Sequence, residues 1–400
     1  MKKAHIIQLT HQNYIFIGIV FLLCGNTIWF PLVSAYIIPV VQAEATTESI
    51  DYPMERYGHR MVFLPDTSEI FMFGGEFDYY LDISLENAWK YQISNDRWEM
   101  IPTVDGPSAR MNPGMIYISQ SNSILLFGGV DTSQYLRMND MWAFNLDTKQ
   151  WSQIETPTTP PARSDMAIYY DESIGKAYIF GGYSASDTKL ADMWEFDVSN
   201  STWTEVNISS GPSARYGHHM IYNSLTQEGI LFSGSSGFSL QNDLWKFNAS
   251  TQTWTEISAT NRPTIRYWHN LVFDPTFNAL YVFGGRNDNV VGDSLSDLWQ
   301  YDFTTTQWTE ISLEVHPSQR ALSYMVMDTI NSEIYLFGGL PKFNEDCYND
   351  FWRFSLENAV WSEITPRSSS PIYWIGAIAL VVIGGSLLGY FLLRKKKGHQ

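Results

Sequence analysis

The sequence predicts an all-β protein, a six-bladed β-propeller, followed by a C-terminal transmembrane helix, and three observations predict it. One pattern recurs six times at intervals of 51 to 54 residues: an arginine, an apolar run closed by glycine, an Asp-x-Trp-x-aromatic stretch, and a second tryptophan. The runs before the glycines (IFMF, ILLF, AYIF, GILF, LYVF, IYLF) have no polar alternation, the mark of a strand buried on both faces. A 22-residue stretch without a charge, residues 372–393, is followed at once by Arg394-Lys395-Lys396-Lys397. Four hundred residues with 44% apolar content can bury a large core, and 17% charge argues against general disorder.

Taken in chain order, the N-terminal residues 1–43 read as a signal peptide or an N-terminal signal-anchor. Lys2 and Lys3 precede an apolar stretch, and small residues at Val41 and Ala43 flank Gln42 just before polar Glu44. Either reading places the repeats outside the cell. A short linker, 44–52, leads to the repeats at 53–366. Cys24 lies in the apolar start and Cys347 in the sixth repeat, so they form no disulfide within the repeat region.

Each repeat parses into four strands of four to six residues with turn signals between them. The blades run over about 53–103, 107–156, 160–208, 212–259, 263–313 and 317–365. In the fifth, the first strand is expected at Trp268–Asp274 and the second at Ala279–Phe283. The third strands carry Trp-x-aromatic pairs at period two: Trp89, Trp142, Trp194, Trp245, Trp299 and Trp352 lead them. These pairs are expected to fill slots between adjacent sheets. The glycines are Gly74-Gly75, Gly128-Gly129, Gly181-Gly182, Gly284-Gly285 and Gly338-Gly339, with Ser233-Gly234 in blade 4. Blade 1 has Asn87 where the others have aspartate. A repeat of about 50 residues with four strands is a propeller blade. The ring is expected to close by packing of the first blade on the last, with Ser49–Tyr52 as a candidate extra strand.

Gly-Gly after the second strand, then Trp-x-aromatic and a later Trp, resembles the kelch motif, and Pro212–His218 reads Pro-Ser-Ala-Arg-Tyr-Gly-His as in one kelch subgroup. The resemblance covers about 310 of 400 residues and implies a six-bladed kelch propeller. Some secreted kelch propellers are sugar epimerases or copper-radical oxidases, but neither family's catalytic residues are found in this sequence.

After the repeats, 367–371 is a linker, 372–393 the transmembrane helix and 394–400 a basic cytoplasmic tail. At about 1.5 Å per residue the 22-residue apolar run spans roughly 33 Å, enough for a bilayer's hydrocarbon core, and the four cations behind it place the C-terminus inside. The chain carries 25 Lys and Arg against 42 Asp and Glu, net −17. Such a surface repels phosphate backbones, so no nucleic acid is expected as a partner.

Loops after the second and fourth strands share one face, here called the top. The second-to-third-strand loops are the longest and hold exposed aromatics beside charges, as recognition surfaces do. The candidate ligand-binding residues are Phe77, Asp78, Tyr79, Tyr80, Tyr135, Arg137, Tyr183, Phe238, Arg286, Asp288, Lys342 and Phe343. The leading arginines (Arg56, Arg110, Arg163, Arg215, Arg266, Arg320) read as structural ties between blades. His59, His218 and His269, three residues after an arginine, are placed to approach the central channel. Acidic loops at Asn287–Asp293 and Glu345–Asp350 have oxygen ligands at calcium-like spacing, yet such loops on an acidic protein are ordinarily solvated. No metal, cofactor or catalytic set is assigned. Sequons at Asn200, Asn207 and Asn248 are possible glycosylation sites. The function expected is a cell-surface binding module that recognises a protein or glycan through its top face; a sugar-acting enzyme or a subunit of a membrane complex are the alternatives.

Overall fold

The structure is a computed structural model, which describes residues 52–77, 84–103, 105–288, 294–342 and 345–365. Both apolar ends lie outside the described residues. Among the described residues no helix is long and apolar enough to cross a membrane.

Six four-stranded antiparallel sheets are present, each with its strands in chain order. Their first strands are Arg60–Leu64, Gly114–Ile118, Ala167–Asp171, His219–Asn223, Asn270–Asp274 and Tyr324–Asp328, and these surround the axis. The second strands, such as Glu69–Phe73 and Glu333–Phe337, are buried on both faces, as their unbroken apolar runs require. In blade 5 the first strand begins at Asn270, two residues later than the sequence suggests. Trp268 instead takes a positive φ of 51°, which ends strand geometry there.

The paired glycines have unequal demands. The first adopts φ near 62–74°, the left-handed region that other residues enter singly, although a Cβ there would also lie 2.5–2.8 Å from an arginine carbonyl oxygen. Blade 4 places Ser233 there, at φ 62°, with its hydroxyl 2.7 Å from both Arg266 O and Gln241 O, either of which can accept its one proton. The second sits at φ 96–107°. At Gly339 a Cβ would lie 2.7 Å from the Cβ of Ser323, so only glycine fits.

The Trp-x-aromatic pairs of the third strands do pack into the cores between adjacent blades, with Trp89 and Trp194 buried and Trp142, Trp245, Trp299 and Trp352 half-buried against them. The second tryptophan packs on the phenylalanine before the glycines of the preceding blade. Phe73–Trp151, Phe127–Trp203, Phe180–Trp254, Phe232–Trp308 and Phe283–Trp361 have ring centroids 5.0–5.6 Å apart. Phe337–Trp98, at 5.5 Å, repeats the contact between the last blade and the first. Among the described residues the ring therefore closes by packing, without a strand exchanged between blades. Met61, Ile70 and Trp89 of blade 1 share one core with Val326, Tyr335 and Phe337 of blade 6.

The arginines tie within their own blades through their side chains. Nη1 of Arg110 donates to Gly128 O and to Asp140 Oδ1, Nη2 donates to Asp140 Oδ2, and the indole of Trp142 donates to the same carboxylate. Blades 3 to 6 repeat this Arg–Asp–Trp arrangement with Asp192, Asp243, Asp297 and Asp350. The tie between blades runs through the arginine's backbone. Arg110 O accepts from Gly75 N of the preceding blade at 2.9 Å, and Arg56 O accepts from Gly339 N at 2.8 Å across the closure.

Blade 1 is the exception. Asn87 offers one oxygen to Arg56 Nη1, and Arg56 Nη2 and Trp89 Nε1 are buried without a hydrogen-bond partner. Burial lowers the Arg56 guanidinium to about 9. Asn87→Asp would supply both missing acceptors and a countercharge. It is expected to stabilise the propeller by about 1–3 kcal/mol, read as a rise in the urea midpoint with the slope unchanged.

Candidate functional site

Two residues after each arginine, the chain turns sharply at the axis. The six residues there are Gly58, Asn112, Asp165, Gly217, Trp268 and Leu322, and all have φ between 50° and 66°. Each donates its backbone N–H to the carbonyl of its counterpart in the preceding blade: Asn112 to Gly58, Asp165 to Asn112, Gly217 to Asp165, Trp268 to Gly217, Leu322 to Trp268, and Gly58 to Leu322, at 2.7–3.2 Å. The result is a closed ring of six hydrogen bonds that floors the top face. Holding tryptophan and leucine at positive φ costs about 1–2 kcal/mol each, offset by burial of backbone groups that would otherwise lack partners.

Around this floor stands an aromatic cluster in which Tyr183, Tyr216 and Trp268 are half-buried and Tyr267 is buried. Tyr183 and Tyr216 meet edge to face at 5.1 Å, Tyr216 meets Tyr267 and Trp268 at 5.8 and 5.9 Å, and Tyr267 lies 4.4 Å from Trp268. Cations flank it. Arg137 lies 4.5 Å and Lys189 4.9 Å from the centroid of the Tyr183 ring, and Arg137 also pairs with Asp187 at 2.9 Å. On the far side, Arg286 Nε donates to Asp288, which accepts from the Tyr267 hydroxyl. Burial, above all, pushes the Tyr267 phenol up, so it stays protonated and remains a donor.

Of the residues singled out from the sequence, the fold joins Arg137, Tyr183, Arg286 and Asp288 into one strip across blades 2 to 5. Tyr135 and Phe238 stand at loop tips, 78% and fully exposed. Lys342 pairs with Glu345 at 2.6 Å in blade 6, and Phe77 O accepts from Cys347 Sγ. Asp78, Tyr79, Tyr80 and Phe343 lie outside the described residues.

The strip also contains Tyr216, Tyr267 and Trp268, which the repeat pattern hides because they sit inside its structural opening. The one signal in the sequence is chemical variation at a fixed place: the residue after each arginine is Tyr57, Met111, Ser164, Tyr216, Tyr267 or Ala321.

None of the three histidines lines the axial cavity, and His218 alone of them borders a water-sized space under the ring. His59, His218 and His269 are buried against the phenylalanine of the preceding blade, with ring centroids 5.3–5.6 Å apart. Burial, with nearby arginines adding to it, holds all three far below the ordinary histidine range, so they are neutral core groups rather than acid–base catalysts. Among the described residues no cluster of His, Cys, Asp and Glu could hold a metal ion. Asp350 is committed to Arg320 and Trp352. Asn200 and Asn207 are exposed, and Asn248 is half-buried with its Oδ1 accepting from Thr251.

The sequence profile of the KLHDC2/KLHL20/DRC7 Kelch-repeats domain matches residues 40–225, 157–263 and 222–397. The chain is 28% identical over 283 residues to Kelch domain-containing protein 10 of Xenopus tropicalis, covering 65% of each. It is 26% identical over 321 residues to the Homo sapiens protein of that name, covering 74% of this chain and 68% of the relative. The chain thus spans about two thirds of the length of these relatives.

Proposed function

The chain belongs to the KLHDC2/KLHL20/DRC7 Kelch-repeats domain family, and from that premise we propose that it is a binding module that recognises a protein or glycan through its top face, held at the outer surface of a membrane by residues 372–393. The observation that carries the reading is the continuous strip Arg137–Tyr183–Tyr216–Tyr267, with Trp268 at its inner edge. Rigid aromatic rings beside cations, set on a fixed floor, are the composition of binding hot spots.

The last strand, Val360–Glu363, runs toward the top face. Residues 366–371 then reach at most roughly 20 Å before the apolar run begins. On this reading the top face lies near the bilayer, and its ligand is a component of the same membrane or one held close to it.

The test is a binding comparison on cells that display the full chain. Changing Tyr183 and Tyr216, the half-buried tyrosines of the strip, to alanine together is expected to weaken ligand capture by about 2 kcal/mol, some thirtyfold. Leu225→Ala on the opposite face should leave it unchanged. Equal capture by both variants would sink the top-face reading, and a chain released from membranes by salt alone would sink the anchor.

A further inference from the structure

Beneath the six-residue ring the axis is hollow. A cavity of about 370 Å³ is lined by the first strands of all blades, with Met61, Ile116, Ile168, Met220, Val272 and Tyr324 among its walls and Glu172 as its one charged residue. That volume lies at the low end of the range for small-molecule sites. The first-to-second-strand turns of blades 3 to 6, on the bottom face, carry exposed Ile174, Leu225, Phe277 and Ile330. Exposed apolar side chains grouped in one region mark a contact surface.

Directly under the ring lies Arg60, which lines a small separate space there and borders the cavity through Tyr324. It is 8% exposed, and its guanidinium lies 5.1 Å from the centroid of the Tyr324 ring, a wall of the cavity. Nη1 donates to His59 O and Asn112 Oδ1. Among the described residues Nε and Nη2 have no acceptor and Arg60 makes no ion pair. Asp165 is the nearest countercharge, but its carboxylate is already engaged by Ser164, by Asn112 and by the indole of Trp268 at 2.6–2.8 Å. A space of about 10 Å³ adjoins Arg60, Asn112, Asp165, His219 and Ser323, room for roughly one atom the size of water oxygen. His219 is pressed down to about 3 by burial and by the charge of Arg60, so it is neutral and offers one N–H beside that space.

Arg60 Nε and Nη2 are not fully enclosed, so they open onto space beside the apolar cavity, and a cation with free donors there favours an anion. We propose that the axial cavity binds a small organic carboxylate with an apolar body, its carboxylate on Arg60 and its hydrocarbon part against the first-strand side chains. One carboxylate oxygen fills the water-sized space and the other faces the Nε–Nη2 edge, whose two parallel N–H groups match carboxylate geometry. The apolar body excludes water from the walls beneath, and entry is from the bottom face, opposite the aromatic strip. The site is thus separate from the top-face surface, and either can fail without the other.

The experiment is calorimetric titration of the full chain with hydrocinnamate, hydrocinnamyl alcohol and phenylpropylammonium, which share one apolar body and differ in head group. Hydrocinnamate is expected to bind, with the alcohol at least about tenfold weaker and the ammonium weaker still. R60M should lower hydrocinnamate affinity at least about tenfold and erase the preference for the acid over the alcohol. I168W, which fills the cavity and keeps Arg60, should abolish binding. Absence of hydrocinnamate binding at millimolar concentration, equal binding of all three compounds, or unchanged binding by R60M would overturn the proposal. Should R60M fail to fold by circular dichroism, I168W decides: retained binding overturns the site.

Discussion

Acidification from about pH 7.5 to 5.5 is expected to cost the propeller about 5 kcal/mol of stability through four histidines held neutral by the fold, His59, His218, His219 and His269. His59, His218 and His269 are at most 1% exposed. Each packs on a phenylalanine, and the rings of His59 and His269 have no hydrogen-bond partner. Burial is the main cause of their low proton affinity, followed by charges such as Arg56 beside His59 and Arg215 beside His218. A base with a lowered folded pKa leaves the unfolded chain to take the proton first. The stability is therefore fully present above the unfolded value of about 6.5 and is lost as pH falls toward the folded one, at about 1.4 kcal/mol per histidine per pH unit. Against a total of about 5–15 kcal/mol for typical domains, that is a large share.

Urea unfolding at several pH values measures this slope. His269→Met should remove about a quarter of it and still pack, because blade 3 already places Met166 at the matching position. A flat profile over this range would show that the rings are not held neutral. The carboxylates act in a different window. Burial raises Asp140, Asp192 and Asp243, but hydrogen bonds and charge from their arginines, with the indoles, outweigh it and leave all three below the usual value. Their contribution is present above about pH 4 and is lost only as pH falls through their folded values.

Asp192→Ala is expected to destabilise the propeller by about 3–5 kcal/mol, because it leaves a fully buried guanidinium without its countercharge. The Arg163 side chain is 0% exposed, and it reaches both carboxylate oxygens at 2.7–2.8 Å while Trp194 donates to the same group. Asp192→Asn, which copies blade 1, should fall between the two, since one oxygen survives. Changing Arg163 and Asp192 together to apolar residues should recover much of the loss, since the cost comes from the orphaned charge rather than from the missing pair. A double-mutant cycle in urea separates these terms. A loss below about 1 kcal/mol for Asp192→Ala would place the triad's value in packing instead.

Much of this architecture is legible in the repeat. Strand order, the buried second strands and the glycine demanded at Gly339 follow from local patterns that recur whatever surrounds them. Other features are not. The repeat marks its tryptophans as structural, but only contact between blades shows that Trp151 packs on Phe73 while Trp142 is half-buried with its indole on Asp140. The arginines' spacing suggests ties between blades, yet their side chains turn inward to Asp140 and its counterparts, because a bidentate acceptor waits thirty residues on in the same blade. Strand position alone would bring the histidines near the channel, yet their rings pack on phenylalanines of the preceding blade, and only His218 of the three borders the small space under the ring.

The sequence alone determined the number of blades, the strands within each and the residues that must be glycine, because those depend on short-range periodicity and backbone sterics repeated six times. Only the tertiary structure decided where chemistry can occur. The axial ring, the strip from Arg137 to Tyr267 and the unpaired Arg60 each combine residues from different blades, brought together by closure of the circle. Their neighbours are set by contacts 50 or more residues apart, and no pattern within one repeat encodes them.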